Sequence, residues 1–147
     1  MPVFGIQHAA IKTQDLAATN RFYTEVLGMR LVARPPMAFP GSWLSMGETL
    51  IHVMAGPDCL NRDGSTPHGG GALDHIALGA VGFDEFRRKF VEHQLDWRQN
   101  ALAEAGLWQL FVHDPNGIMI ELNFTHSEEP ENSIGPDEAH RYHLGQF

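Results

Sequence analysis

A chain of 147 residues with 43% hydrophobic content is one domain's worth of ordinary globular sequence, long enough to bury a core. Its net charge of −8 argues against nucleic acid or an anionic membrane as a partner. A single cysteine, Cys59, excludes an internal disulfide, no CxxC pair offers a thiolate metal site, and no apolar run nears the roughly 18 residues of a membrane span. The opening residues carry no basic segment followed by a long apolar one, so a cytoplasmic protein is the expectation.

Residues 4–12 read as a strand containing His8. Asp15 is placed as an N-cap, and Leu16, Tyr23 and Leu27, with Phe22 and Val26 beside them, recur at helical spacing up to Gly28. Residues 29–33 form a short strand, followed by a loop with Pro35, Pro36 and Pro40. Strands at 42–46 and 49–54 flank a Gly47-Glu48 turn. A stretch rich in Gly, Pro, Asp and Asn, residues 56–71, reads as a linker.

The order then repeats. Residues 72–80 form a strand containing His75, 84–91 an amphipathic helix, and 95–100 a strand. Residues 107–112 and 117–124 form a hairpin across Asp114-Pro115-Asn116-Gly117, where Pro fixes φ and Asn and Gly tolerate positive φ. Alternation in the last strand puts Ile118, Ile120, Leu122 and Phe124 on one face and Met119, Glu121 and Asn123 on the other. A carboxylate in such a strand needs a partner. His8 and His75 both fall in first strands, 67 residues apart, and His52 falls where Glu121 does, 69 residues apart. The reading is an α+β domain of two tandem βαβββ modules, at about 4–55 and 72–124, with an irregular polar tail over 125–147.

Three segments resemble the vicinal oxygen chelate superfamily, which includes glyoxalase I, extradiol dioxygenases and bleomycin-resistance proteins. They are His8 with Asp15-Leu16 and Phe22-Tyr23-Thr24-Glu25-Val26-Leu27-Gly28; Asp74-His75-Ile76-Ala77-Leu78; and residues 111–117 running into Ile120-Glu121-Leu122. The resemblance spans residues 5–124 and implies that the paired modules form a cupped mixed sheet around a divalent metal. His8, His75 and Glu121 match the family's ligand positions. Fold membership does not settle the reaction.

Imidazole and carboxylate donors suit Fe²⁺, Mn²⁺, Ni²⁺, Co²⁺ or Zn²⁺, and two histidines with one carboxylate leave coordination positions open. A substrate with two neighbouring oxygens then takes the place of water, and the metal acts as a Lewis acid toward an enediolate, catecholate or alkoxide. His52 departs from the glyoxalase I pattern, which has glutamate there. It is a candidate fourth ligand, an acid or base beside the metal, or a cavity-lining residue. Glu121 and His52 are the candidate proton-transfer residues. The expectation is therefore a metal-dependent lyase or isomerase, or a ring-cleaving dioxygenase. The alternative is a non-catalytic small-molecule binding protein of the bleomycin-resistance type.

The resemblance also implies a homodimer. His113 is expected as a solvated turn residue, and His68, His93, His126, His140 and His143 as surface residues; His140, Tyr142 and His143 reach a cavity only if the tail folds back. Trp43, Trp97 and Trp108 are read as core or cavity wall, and Cys59 has no activating context.

Overall fold

A computed structural model describes residues 2–147. The chain divides into two compact units, one ending at His68 and the other beginning at Gly69, a boundary inside the predicted linker.

The first unit contains β1 (His8–Thr13), α1 (Leu16–Arg21), β2 (Arg30–Val32), β3 (Gly41–Met46) and β4 (Thr49–Ala55). Asp15 caps α1, its Oδ1 accepting from the Ala18 N–H at 2.8 Å. The helix widens into a π turn over Phe22–Val26, where Phe22, Tyr23 and Val26 are buried. Gly28, at φ +74°, ends it, and the Met29 N–H returns to the Tyr23 carbonyl at 2.8 Å. This bond closes a wide, seven-residue turn that follows the π geometry, and Gly28 supplies the left-handed residue at its end. The sheet order is β1-β4-β3-β2, with β1 parallel to β4 and the other pairs antiparallel. Ile11, Leu44, Ile51 and Val53 are buried on one face, and α1 packs on β3 and β4.

The second unit repeats this order with β5 (His75–Ala80), α2 (Phe83–Glu92), β6 (Trp97–Leu102), β7 (Leu107–His113) and β8 (Met119–Thr125), arranged β5-β8-β7-β6. The predicted βαβββ repeat is therefore present, each module being a four-stranded mixed sheet. Leu110, Val112, Ile120, Leu122 and Phe124 form the buried face with Phe83 and Phe90 of α2. The Asp-Pro-Asn-Gly hairpin forms because Asp114 Oδ1 accepts from the backbone of Asn116 at 2.8 Å and Ile118 at 2.9 Å. Gly117 takes φ +76° to complete the turn.

The tail is irregular, as expected, yet it is tied down along its length. Glu129 crosses back to α2 and accepts from the Gly82 and Phe83 N–H groups at 2.9 and 2.8 Å. This supplies the helix with a cap that its own N-terminal residues lack. The tail then bridges to β6 at Gln99: the Gln99 N–H donates to the His140 carbonyl and the Tyr142 N–H to the Gln99 carbonyl, at 2.8 and 2.9 Å. The Gln99 side chain, 1% exposed, donates to the Asp137 carboxylate at 2.6 Å.

Removal of the Glu129 carboxylate by Glu129→Ala is expected to lower stability by about 1 kcal/mol, the scale of a lost N-cap. Urea unfolding checks this, with Glu128→Ala, an exposed neighbour, as the control expected to shift stability by less than about 0.5 kcal/mol.

Candidate metal and substrate site

In the first unit, β1 and β4 are paired so that Ala10 lies opposite His52 and His8 opposite Leu50. On the other side of β4, Trp43 lies directly opposite His52. Alternation puts His8, Trp43 and His52 on the face away from the buried Ile11, Leu44, Ile51 and Val53. There the three rings stack. His52 lies 4.3 Å from Trp43 with 4° between planes, and 4.0 Å from His8 with 17° between planes. Burial, then the neighbouring His8, then Arg34 hold the His52 pKa below its ordinary 6.5. Its Nε2 is buried with no hydrogen-bond partner, and so is Ser45 Oγ, two residues from Trp43 on the same face.

The second unit has the same register with different chemistry. Ala77 lies opposite Glu121 across β5 and β8, as Ala10 does opposite His52. Phe111 lies opposite Glu121 across β7 and β8, as Trp43 does opposite His52. Glu121 is only 8% exposed. Its Oε1 accepts from Gln109 Nε2 at 2.8 Å and Asn123 Nδ2 at 2.7 Å. Its Oε2 lies 3.1 Å from His75 Nε2. The other ring nitrogen, His75 Nδ1, lies 2.7 Å from Asp74 Oδ1.

The structure therefore brings His8 together with His52, and His75 together with Glu121. Among the described residues no group of three or more His, Cys, Asp or Glu side chains is arranged to hold a metal ion. The His75–Glu121 pair does fit donation to one. Two ligands each about 2.1 Å from an ion, at right angles, lie about 3.0 Å apart, close to the His75–Glu121 separation. Metal-bound histidines commonly offer the second nitrogen to a carboxylate, as His75 does to Asp74. Oε1 of Glu121 is saturated by amide donors, and Oε2 is the oxygen turned to His75. The orphaned Nε2 of His52 is a donor atom in search of a partner.

Of the other weighed residues, His113 departs from expectation, while His126 and His140 are exposed as expected. His113 lies within β7, half-buried against the Phe147 ring at 4.5 Å, because the tail returns across this strand. His140 is exposed but stacks on Trp97 at 4.3 Å, and His126 stacks on Trp108 at 4.5 Å. Tyr142 stacks on Phe111 at 3.9 Å, so the tail does fold back onto the face that carries Glu121. Cys59 is buried, its Sγ 3.4 Å from the Ala55 carbonyl. Asn123 was legible as sharing the Glu121 face by alternation. Gln109 was not, since only the pairing of β7 with β8 brings it there.

The family model described as Glyoxalase/Bleomycin resistance protein/Dioxygenase superfamily matches residues 5–122. Glyoxylase I 4 of Arabidopsis thaliana is 28% identical over 124 residues, covering 80% of this chain and 68% of that protein. The crystal structure of lactoylglutathione lyase from Agrobacterium tumefaciens is similar with a TM-score of 0.63 at 20% identity, covering 86% of this chain and 98% of that one. An antibiotic binding protein from a Streptomyces species has a TM-score of 0.63 at 19% identity, covering 84% and 98%. The two solved structures share the fold.

In metal-free protein, His52 is expected to be neutral at pH 7 and to titrate below 6.5 by NMR. His8→Asn is expected to move the midpoint upward. The folded chain binds this proton less tightly than the unfolded chain does, so His52 lowers stability as pH falls below 6.5 and has no effect well above it.

Proposed function

The chain belongs to the glyoxalase/bleomycin resistance protein/dioxygenase superfamily, and from that premise we propose that it is a divalent-metal-dependent enzyme acting on a small molecule with two neighbouring oxygens. The second unit offers His75 and Glu121 as ligands, the first offers His8 beside His52, the enzyme works as a homodimer, and the reaction is of the lyase or isomerase type. The observation that carries the reading is the Asp74–His75–Glu121 line. His75 is held from one side at 2.7 Å and faces the Glu121 carboxylate at 3.1 Å on the other.

When bound, the ion supplies Lewis acidity toward the paired oxygens of the substrate. The chain's own residues do the rest. Gln109 and Asn123 fix the Glu121 carboxylate by occupying Oε1, which leaves Oε2 as the donor. Asp74 sets the ring angle of His75. In the first unit, His52 is the residue suited to proton transfer. Its Nε2 is unpartnered and its depressed pKa keeps it neutral near pH 7, so it can take a proton from a substrate carbon. The stack of His8 and Trp43 holds the imidazole in one orientation. The lyase or isomerase class is supported by the relationship to the Arabidopsis glyoxylase.

A second reading is metal-free sequestration of a flat compound. The Trp43–His52 stack in the first unit, the Phe111–Tyr142 stack in the second and the fold shared with the antibiotic binding protein favour it.

Elemental analysis of protein purified without chelator tests the proposal, followed by assays with a 2-oxoaldehyde hemithioacetal and with a catechol under air. The expected result is about one divalent ion per chain and turnover of the hemithioacetal. Asp74→Asn is expected to weaken metal affinity by about 10- to 100-fold, the usual penalty for losing a carboxylate behind a liganding histidine. Catechol cleavage in place of hemithioacetal turnover would move the reaction to the dioxygenase class. Absence of metal under every loading condition, with Glu121→Gln harmless to stability, would overturn the proposal.

A further inference from the structure

We propose that the C-terminal tail is a working part of the site, with Tyr142 donating a hydrogen bond from its hydroxyl to an oxygen of the ligand bound beside His75 and Glu121. This rests on the metal-site reading above. The family match ends at residue 122, so the tail lies outside it.

Three observations place Tyr142 there. The first is its anchorage. The tail is pinned to β6 by backbone hydrogen bonds on both sides of Arg141, at His140 and Tyr142. Farther back, Arg87 donates to the Gly135 carbonyl at 2.7 Å. At the chain's end, Phe147 lies 4.5 Å from the His113 ring and 4.6 Å from the Arg98 guanidinium. The residue between these anchors has little freedom to leave.

The second is position. The Tyr142 ring lies 3.9 Å from Phe111 with 15° between planes. Phe111 is directly opposite Glu121 across β7 and β8, on the same face of the sheet. Arg98 and His113 share that face by alternation and register. Tyr142 is therefore laid over the side of the sheet that presents the carboxylate.

The third is an unspent donor. The Tyr142 hydroxyl has no hydrogen-bond partner among the described residues. In the metal-free chain, burial, and then the Asp74 and Glu121 carboxylates, push its pKa up, which places the phenol within electrostatic reach of both. A protonated donor that faces a metal-held anionic oxygen makes a charge-assisted hydrogen bond.

The test uses the full chain loaded with Zn²⁺, which does not support redox turnover of a catechol. Zn²⁺ affinity is read by calorimetry and catechol affinity by absorbance titration. Tyr142→Phe keeps the stacked ring and removes the donor. It is expected to leave Zn²⁺ affinity and melting temperature unchanged and to weaken catechol binding about tenfold, the scale of one hydrogen bond to a charged group. A chain ending at Ala139 is expected to lose at least as much. Unchanged catechol affinity in both variants would overturn the role of the tail and leave the metal site standing. Tighter binding on truncation would do the same, because the tail would then be a plug. Zn²⁺ binding with no catechol binding in the parent chain would also overturn it. Failure of the parent chain to bind Zn²⁺ would overturn the tail proposal together with the metal reading.

Discussion

Taking the Glu121 carboxylate out of water in the middle of β8 is the constraint on which the second unit turns. An isolated carboxylate in that position is strongly disfavoured, and one with good partners is tolerated. β8 is flanked on both sides, by β5 in parallel and β7 antiparallel. Each neighbour delivers a partner: His75 from β5 and Gln109 from β7, while Asn123 comes from β8 itself. The parallel pairing therefore matters chemically. It sets His75 one step along the face from Glu121, where a two-stranded hairpin alone would leave one side of the acid bare.

The first unit solves a related problem differently. The same register places His52 where Glu121 stands, with an aromatic ring opposite it in both units, Trp43 in one and Phe111 in the other. An imidazole between two flat rings is held by stacking and by exclusion of water. Burial and the adjacent His8 and Arg34 then disfavour its protonation. One architecture used twice thus carries an amide-clamped carboxylate in one copy and a neutral, unpartnered imidazole in the other.

Much of this was written in the local pattern. Alternation in residues 118–124 placed Glu121 and Asn123 on one face and the core residues on the other, and burial of Ile120, Leu122 and Phe124 follows it. Asp15 and Gly28 marked the ends of the first helical segment because capping chemistry is local. The His8/His75 and His52/Glu121 correspondences set the register of the repeat, which the strand pairing reproduces. What was not legible depends on contacts between distant residues. Glu129 caps a helix 46 residues upstream, and Gln99 holds Asp137 from 38 residues away. Neither leaves a periodic trace. His113 reads as a turn residue beside Asp114-Pro115, and only the return of Phe147 makes it a packed one. The sandwich around His52 likewise needed the β3–β4 pairing to put Trp43 opposite it.

Under the proposed function this chain holds a divalent ion through imidazole and carboxylate donors. X-ray absorption on the Zn²⁺- or Co²⁺-loaded protein, compared with loaded Glu121→Gln, addresses it at the level of the atoms. The expected first shell is nitrogen and oxygen at about 2.0–2.2 Å, with the outer-sphere scattering of imidazole. The Glu121→Gln spectrum is expected to lose the carboxylate contribution, or the variant to lose the ion. A shell made only of water oxygens, or one identical in the variant, would contradict it.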